Sequence, residues 1–289
     1  EDPAELKKTI ENLQTALSAC GSERERLQGL LMNDLCDCSA AKAPPPNAAA
    51  SGKIATSCGD KLTLYCHAIC PFAHRVWLAV EEKGIEYEFV HIPLGKEKPE
   101  WYVEKINPAG TVPTLKCGEK IILESTWGAE FVEEMFPEHG TPLYPTKDAH
   151  LKYDIRVLLD WFGKNIVPFA YRLLKNQDPA LDEEYATKLT EFVADMNSRF
   201  EKQSAGPYFL GPKFSMADLL TCTFFDRFRH TLKHYRGYDI LPDSVPRLQQ
   251  WMAAVDERPA MKATAQPGAY YIELYAGYAN PRGQSTLGK

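Results

Sequence analysis

The residue with the clearest chemical potential is Cys70, which is followed by Pro71, Phe72 and Ala73. Pro71 suits the first position of a helix, because the N–H that proline lacks would have no partner there. The Cys70 sulfur is then expected at a helix N-terminus, where unpaired N–H groups and the helix dipole favour an anion. We therefore expect this environment to favour the thiolate, which is the nucleophilic form of cysteine.

A single cysteine limits the mechanism that this motif can support. Ala73 stands where a Cys-x-x-Cys oxidoreductase has its second cysteine, so the expected route is a monothiol one through a mixed disulfide. In an alternative mechanism, Cys66 would be a second thiol that resolves the mixed disulfide. Its position at the end of an apolar run instead favours a buried core role. His74 would lower the pKa of Cys70 if it faced the sulfur, although a solvent-facing position is the preferred interpretation.

The neighbouring sequence predicts the elements that position this cysteine. The apolar run 62–65 predicts a buried strand, and the helix that follows is expected to end at Gly84, a typical C-cap. A second apolar run at 87–92 predicts the next strand. Pro113 lies where a further strand should begin, and we expect a cis bond that turns the Val112 backbone toward the sulfur.

A third motif is Glu124-Ser125, which precedes an apolar helix and predicts a cap that binds an amine or an anion. No spacing of cysteine and histidine predicts a zinc site, so we expect no metal. The chemistry of the chain should therefore depend on the cysteine and on the groups around it.

Together these motifs resemble the glutathione-binding domain of glutathione transferases, which has a thioredoxin fold. Cys-Pro-Phe-Ala in place of a catalytic Tyr or Ser is similar to the omega class, with the lambda class a near second. The resemblance covers residues 61–279. Further segments that match omega enzymes in residue type are Lys98-Pro99-Glu100-Trp101, Asn107-Pro108, Val112-Pro113 and Glu124-Ser125.

The resemblance implies that glutathione is the cosubstrate and that each of its parts has its own partner. Glu124 is expected to pair with the γ-glutamyl ammonium, and Ser125 with the γ-glutamyl carboxylate. The Val112 backbone is expected to pair with the cysteinyl backbone, and Lys98 with the glycyl carboxylate. The full set expected to bind glutathione is Phe72, Leu94, Lys98, Val112, Pro113, Glu124 and Ser125.

The function that follows from the resemblance is that of an omega-type thiol transferase or reductase. Its reactions would include dehydroascorbate reduction and the removal of glutathione from protein thiols. Activity with electrophiles should be weak, because a cysteine nucleophile forms a disulfide with glutathione. The alternative function is that of a structural or docking subunit of a larger assembly.

The expected fold is an α/β thioredoxin-like domain at 61–137, followed by an all-α domain at 148–279 and a tail at 280–289. In the second domain, Ser215 and Asp218 predict a helix capping box with a purely structural role.

The first sixty residues lie outside the resemblance. Residues 1–34 predict a helical extension, either one coiled-coil helix, two helices folded back at Gly21, or an amphipathic helix on the main body. Residues 35–60 are rich in proline and alanine and predict a linker. We expect the extension to attach this chain to a second copy of itself in a homodimer, or to a larger assembly. Its heptad positions are Leu6, Ile10, Leu13, Leu17, Cys20, Arg24, Leu27 and Leu31.

Composition narrows the class of protein further. The net charge is −6 and no basic stripe is present, which argues against nucleic acid as a partner. No apolar run is long enough to span a membrane. The chain begins at Glu1 rather than Met, which fits either a removed presequence or a trimmed chain, and we expect a cytoplasmic or organelle-interior location. The cysteines expected to be buried thiols of a reducing compartment are Cys66, Cys70, Cys117 and Cys222.

Overall fold

The computed structural model describes residues 62–95, 98–145 and 147–279, and of Tyr278 only the backbone. The predicted extension (1–34), linker (35–60) and tail (280–289) lie outside the described residues. Those three predictions, together with the coiled coil, therefore stay predictions.

The first domain is a four-stranded mixed sheet with helices, as predicted. The strand order is β2-β1-β3-β4; β1 and β2 are parallel, and β3 is antiparallel to both β1 and β4. Its elements are β1 (Leu62–Cys66), α1 (Pro71–Glu82), β2 (Tyr87–His91), α2 (Glu100–Lys105), β3 (Thr114–Cys117), β4 (Lys120–Ile122) and α3 (Ser125–Met135).

Helix α1, which follows the candidate nucleophile, is buried on nearly all sides. Every residue of α1 except Phe72 and Glu81 is buried. It contacts β1 and α3 of its own domain, and it also packs against the helices of the second domain. The helix ends before Gly84, whose φ of 64° suits glycine at this position.

The second domain is entirely helical among the described residues, and its central helix α6 contacts α1, α4 and α9. Apart from a short 3-10 turn at Pro179–Leu181, its helices are α4 (Ala149–Lys175), α5 (Asp182–Gln203), α6 (Met216–Arg236), α7 (Pro246–Asp256), α8 (Pro259–Thr264) and α9 (Gly268–Ala279). The predicted order of an α/β domain and an all-α domain is confirmed.

The predicted capping box starts α6. Both the backbone N–H and the hydroxyl of Ser215 donate to Asp218 Oδ2, at 2.8 and 2.7 Å. Asp218 Oδ1 also accepts hydrogen bonds from the Phe209 N–H at 2.8 Å and from Trp251 Nε1 at 3.0 Å. This buried carboxylate joins α6 to α7, so its role is structural, as the sequence predicts.

A residue in the last turn of α6 forms hydrogen bonds to the C-terminal ends of two other helices. Arg236 is fully buried, and its guanidinium donates to the carbonyls of Leu173 and Leu174 at the end of α4. It also donates to the Ala279 carbonyl at the end of α9, at 2.6 Å. These hydrogen bonds satisfy carbonyls that have no partner within their own helices.

Two classes of feature are absent from the part of the chain that the structure describes. None of its helices combines the length and the apolar character that a membrane crossing needs. Within the same residues, no three side chains of His, Cys, Asp or Glu come together to hold a metal ion.

Candidate active site

Cys70 is the N-cap residue of α1, and Pro71 occupies the first helical position, as predicted. The Ala73 N–H donates to the Cys70 sulfur at 3.3 Å, and the Cys70 N–H donates to the His67 carbonyl at 3.0 Å. The residue has no exposed surface. The local geometry is therefore the expected one, but the sulfur is enclosed.

The burial of Cys70 changes the ionisation state that was expected for its thiol. Burial raises the pKa of Cys70 to about 11, although the N–H groups of Ala73 and Phe72 and the charges of Arg227 and Lys98 act in the opposite direction. Desolvation outweighs them because Cys70 is fully buried. The N–H groups at the helix N-terminus do favour the thiolate, as expected, but burial outweighs them, so the expected net preference for the thiolate is not found in this closed arrangement.

A buried arginine of α6 supports the turn that precedes Cys70. Arg227 donates from Nε to the Ile69 carbonyl and from Nη2 to the Ala68 carbonyl, both at 2.8 Å. Its carboxylate partner is the neighbouring Asp226, at 3.4 Å. Arg227 thus fixes the backbone on the approach to the sulfur and places a positive charge in its surroundings.

His74 also contacts this arginine, so its predicted solvent-facing position is wrong. His74 is fully buried; its Nδ1 accepts a hydrogen bond from Arg227 at 2.8 Å, and its Nε2 lies 2.7 Å from the Thr264 hydroxyl. Burial and the charge of Arg227 lower the pKa of His74 well below its usual value, so the ring is neutral. The cause is the packing of α6 and α8 on α1. Cys66 is also fully buried, as a core residue should be.

The bond between Val112 and Pro113 is cis, as predicted. Because Tyr65 pairs with Thr114 in antiparallel register, Pro113 lies at the end of β1 from which the cysteine turn begins. The preceding loop is held by the Tyr102 hydroxyl, which donates to the Thr111 carbonyl at 2.6 Å. The structure therefore brings this backbone to the same edge of the sheet as the cysteine.

Glu124 and Ser125 form the start of α3. Among the described residues, Glu124 is the one non-glycine with a positive φ, 66°, and its carboxylate is exposed and makes no cap hydrogen bond. Ser125 is buried, and its hydroxyl accepts a hydrogen bond from Arg75 Nη1 at 3.2 Å. A left-handed backbone at a bulky residue costs free energy and is typical of functional sites.

Three further predicted residues are Leu94, Lys98 and Phe72. Leu94 is buried, and Lys98 is half-buried with its ammonium donating to the Pro93 carbonyl. Lys98 lowers the pKa of Cys70. Phe72 is partly buried and meets Phe224 of α6 edge-on, with 4.9 Å between ring centroids.

Two arginines of the site could not be predicted from local pattern. Arg75 donates from Nε to the Leu220 carbonyl at 2.8 Å and so links the Ser125 hydroxyl to α6, while Arg227 links α6 to the cysteine turn. A weak signal existed for Arg227, because it interrupts an aromatic run between Phe225 and Phe228. One further expectation is wrong: Cys117 is disulfide-bonded and is not a thiol.

Comparison with known families gives two consecutive matches. The model described as "Glutathione S-transferase, N-terminal domain" matches residues 69–135, and the model described as "Glutathione S-transferase, C-terminal domain" matches residues 157–264. The boundary between them falls in the connection between α3 and α4, where the structure changes from mixed sheet to helices.

Similar proteins include both classes that the sequence resembles. Rat "Glutathione S-transferase omega-1" is 31% identical over 225 residues, which are 74% of this chain and 86% of the rat protein. "Glutathione S-transferase L3" of Arabidopsis thaliana is 27% identical over 213 residues, covering 73% of this chain and 85% of the plant protein.

Solved structures agree with these relatives. The glutathione transferase Omega 3C from Trametes versicolor aligns with a TM-score of 0.67 and 30% identity, over 76% of this chain and 90% of the fungal protein. The trimeric glutathione transferase TDR1 of Leishmania aligns with a TM-score of 0.71 and 30% identity, over 78% of this chain and 49% of that protein. With its mixed-sheet, thioredoxin-like domain and its helical second domain, this chain belongs to the glutathione transferase family, and glutathione is its cosubstrate.

Proposed function

We propose that this glutathione transferase is an omega-type thiol transferase and reductase that works through Cys70 alone. The observation that carries the proposal is the arrangement at the start of α1, where a cysteine caps the helix and Ala73 occupies the position of a second cysteine. Position 70 carries no hydroxyl group that could stabilise the glutathione thiolate by a hydrogen bond. A cysteine there favours disulfide exchange over conjugation.

The reaction with a mixed disulfide of glutathione has two steps. The Cys70 thiolate attacks the glutathione sulfur, the original S–S bond breaks, and the released thiolate of the substrate takes up a proton. A second glutathione thiolate then attacks the Cys70-bound glutathione sulfur, and oxidised glutathione leaves together with the regenerated Cys70 thiolate. In net terms the mixed disulfide and one reduced glutathione give the substrate thiol and oxidised glutathione, so the reducing equivalent comes from the incoming glutathione.

The binding roles follow from the positions of the charged groups. The exposed carboxylate of Glu124 fits the γ-glutamyl ammonium, and the N–H groups at the start of α3 fit the γ-glutamyl carboxylate beside Ser125. The backbone of Val112 before the cis Pro113 fits the cysteinyl part, and Lys98 fits the glycyl carboxylate. Phe72 and Leu94 supply the apolar walls.

Formation of the thiolate requires that the enclosure of Cys70 is relieved. With a pKa of about 11, the sulfur in the closed arrangement is a thiol at neutral pH. When substrate enters the site, polar groups come into contact with the Cys70 sulfur. The sulfur is then less desolvated, and its negative charge costs less free energy. The cations Arg227 and Lys98 and the N–H of Ala73 then act on it with less opposition.

The test is the reduction of hydroxyethyl disulfide and of dehydroascorbate with glutathione as the electron donor. Wild type should reduce both, Cys70→Ser should reduce neither while remaining folded, and Cys66→Ala should retain most activity. Substantial activity in folded Cys70→Ser would contradict the monothiol mechanism, and loss in Cys66→Ala would assign a resolving role to Cys66.

A second candidate function is that of a docking subunit, and the heptad pattern of residues 1–34 favours it. That segment would attach the transferase to a second copy of the chain or to a larger assembly. The two functions are compatible. We expect the enzyme in the cytoplasm or inside an organelle, and the relative named "Glutathione S-transferase L2, chloroplastic" supports the latter.

A further inference from the structure

Two histidines lie together at the edge of the sheet where the cysteine turn begins. His67 follows β1 and His91 ends β2, and their ring centroids are 4.6 Å apart with 50° between the planes. The contact arises because β1 and β2 are parallel, with Cys66 in register with His91. Their carboxyl ends therefore meet at one edge of the sheet, which is the edge that carries Cys70.

Lys98 lies within electrostatic range of the same two rings. Its ammonium donates to the carbonyl of Pro93, which is two residues beyond the end of β2. Lys98 lowers the pKa of both His67 and His91, and it also lowers the pKa of Cys70. One lysine thus lies within electrostatic range of the histidine pair and of the candidate nucleophile.

No described carboxylate forms an ion pair with this group of side chains, and the one group that acts on Lys98 as an anion is Cys70. The charged groups that shift the pKa of His67 are His91, Lys98 and Arg227, and the one that shifts His91 is Lys98; all act as cations. None of the ion pairs among the described residues involves either histidine or Lys98. A half-buried ammonium within electrostatic range of two imidazoles, with no ion-paired carboxylate from the described residues, fits a carboxylate that comes from a ligand.

The His67 and His91 rings differ in their burial and therefore in their roles. His67 is buried, its pKa is lowered to about 3 mainly by burial, and its Nδ1 accepts the Ile69 N–H at 3.2 Å. The neutral ring therefore carries its proton on Nε2 and stays fixed. His91 is exposed, so it can meet both water and a ligand. His67 is a positioning residue, and His91 is the group that can gain a proton.

We propose that His91, held by His67, binds the glycyl carboxylate of glutathione together with Lys98 and makes the preference for that carboxylate increase as the pH falls. The inference rests on the proposed function, since it requires glutathione to be bound beside Cys70 with its glycyl end at Lys98. It adds a specificity-determining residue to that site and identifies the part of the substrate that this residue recognises.

The sign of the pH effect follows from linkage. Burial and Lys98 lower the pKa of His91 in the free protein, whereas a bound carboxylate favours the imidazolium and raises it again. Binding is then accompanied by proton uptake at His91. The affinity for a ligand with a free glycyl carboxylate therefore rises as the pH falls through the pKa of His91 in the complex. The affinity for a ligand without that carboxylate does not rise through His91.

The experiment compares glutathione with its glycyl monoethyl ester as electron donor in hydroxyethyl disulfide reduction. The ratio of the two KM values is measured at about pH 6 and about pH 8, so that ionisation of thiols common to both donors cancels. In wild type the preference for glutathione should be about fivefold larger at the lower pH, which corresponds to ~1 kcal/mol for a partly exposed ion pair. The variant His91→Asn should lose this increase with little change in kcat.

The matched control is His150→Asn, because His150 is exposed on the first turn of α4, in the other domain. It should keep the wild-type pH dependence. A wild-type ratio that does not change with pH, or a His91→Asn variant that retains the change, would overturn the inference while the proposed function stands. Absence of turnover with both donors would overturn the proposed function and this inference with it.

Discussion

Arg227 Nη1 donates a hydrogen bond of 2.8 Å to Nδ1 of His74, and this contact joins the helical domain to the helix that begins at Cys70. The same guanidinium holds the carbonyls of Ala68 and Ile69. The turn that carries the sulfur is therefore supported by a side chain of the second domain. The charge of Arg227 also lowers the pKa of Cys70 against the effect of burial.

The position of Arg227 predicts that removal of its positive charge slows the alkylation of the Cys70 thiol. In Arg227→Gln, the rate of Cys70 alkylation by iodoacetamide at neutral pH should fall about tenfold, because loss of a nearby cation raises the pKa of a thiol. The rate is measured by mass spectrometry of the Cys70 peptide. Arg227→Lys, which keeps the charge, should recover part of the rate, and Arg199→Gln, at a half-buried arginine of α5 that pairs with Asp195, should not differ from wild type. An unchanged rate in folded Arg227→Gln would refute this role.

A second prediction concerns the pH dependence of the same reaction. Since burial raises the pKa of Cys70 to about 11, the thiolate fraction of the free protein increases with pH. The alkylation rate should rise by about tenfold per unit from about pH 7 to about pH 10, without a plateau. The Cys70→Ser variant supplies the background rate of the other thiols. A plateau below about pH 8 would mean that the sulfur is less enclosed than the structure shows.

The fold could be predicted closely because its signals are local. The apolar runs of β1 and β2, the glycine after α1 and the cis bond before Pro113 each depend on a few neighbouring residues. The capping box of Ser215 and Asp218 is equally local. Each of these patterns indicates a backbone conformation directly, so the order of elements followed from the sequence.

The environment of the site could not be predicted in the same way. His74 and Arg227 are 153 residues apart in the chain, and no local pattern indicates that α6 packs against α1. The pKa of Cys70 depends on its complete burial and on the charge of Arg227, which that packing brings near. The helix N-terminus was visible in the sequence, whereas the desolvation that outweighs it was not.

A third prediction tests the γ-glutamyl site. Glu124→Ala removes the carboxylate at the start of α3 and should weaken glutathione binding by about 2 kcal/mol, roughly thirtyfold, because the ligand ammonium loses its partner. Calorimetric titration with glutathione measures the change. The matched control is Glu119→Ala, an exposed glutamate in the turn before β4, which should bind as wild type does. Equal affinities of the two variants would remove Glu124 from the site.

A fourth prediction concerns the segment that precedes the transferase domains. Deletion of residues 1–57 should leave hydroxyethyl disulfide turnover within about threefold, a barrier change below ~1 kcal/mol, because the proposed catalytic groups lie outside the segment. Light scattering should show a smaller assembly for the shortened protein at equal concentration. If the shortened protein unfolds or no longer binds glutathione, the segment belongs to the catalytic body.

The most direct test of the central claim is to identify the cysteine that accepts glutathione. Wild-type protein is incubated with oxidised glutathione, and its peptides are analysed by mass spectrometry before and after addition of reduced glutathione. We predict one glutathionyl group on Cys70 in wild type and in Cys66→Ala, its removal by reduced glutathione, and none at this peptide in Cys70→Ser. An internal disulfide between Cys66 and Cys70, or turnover without any adduct at Cys70, would contradict the monothiol mechanism.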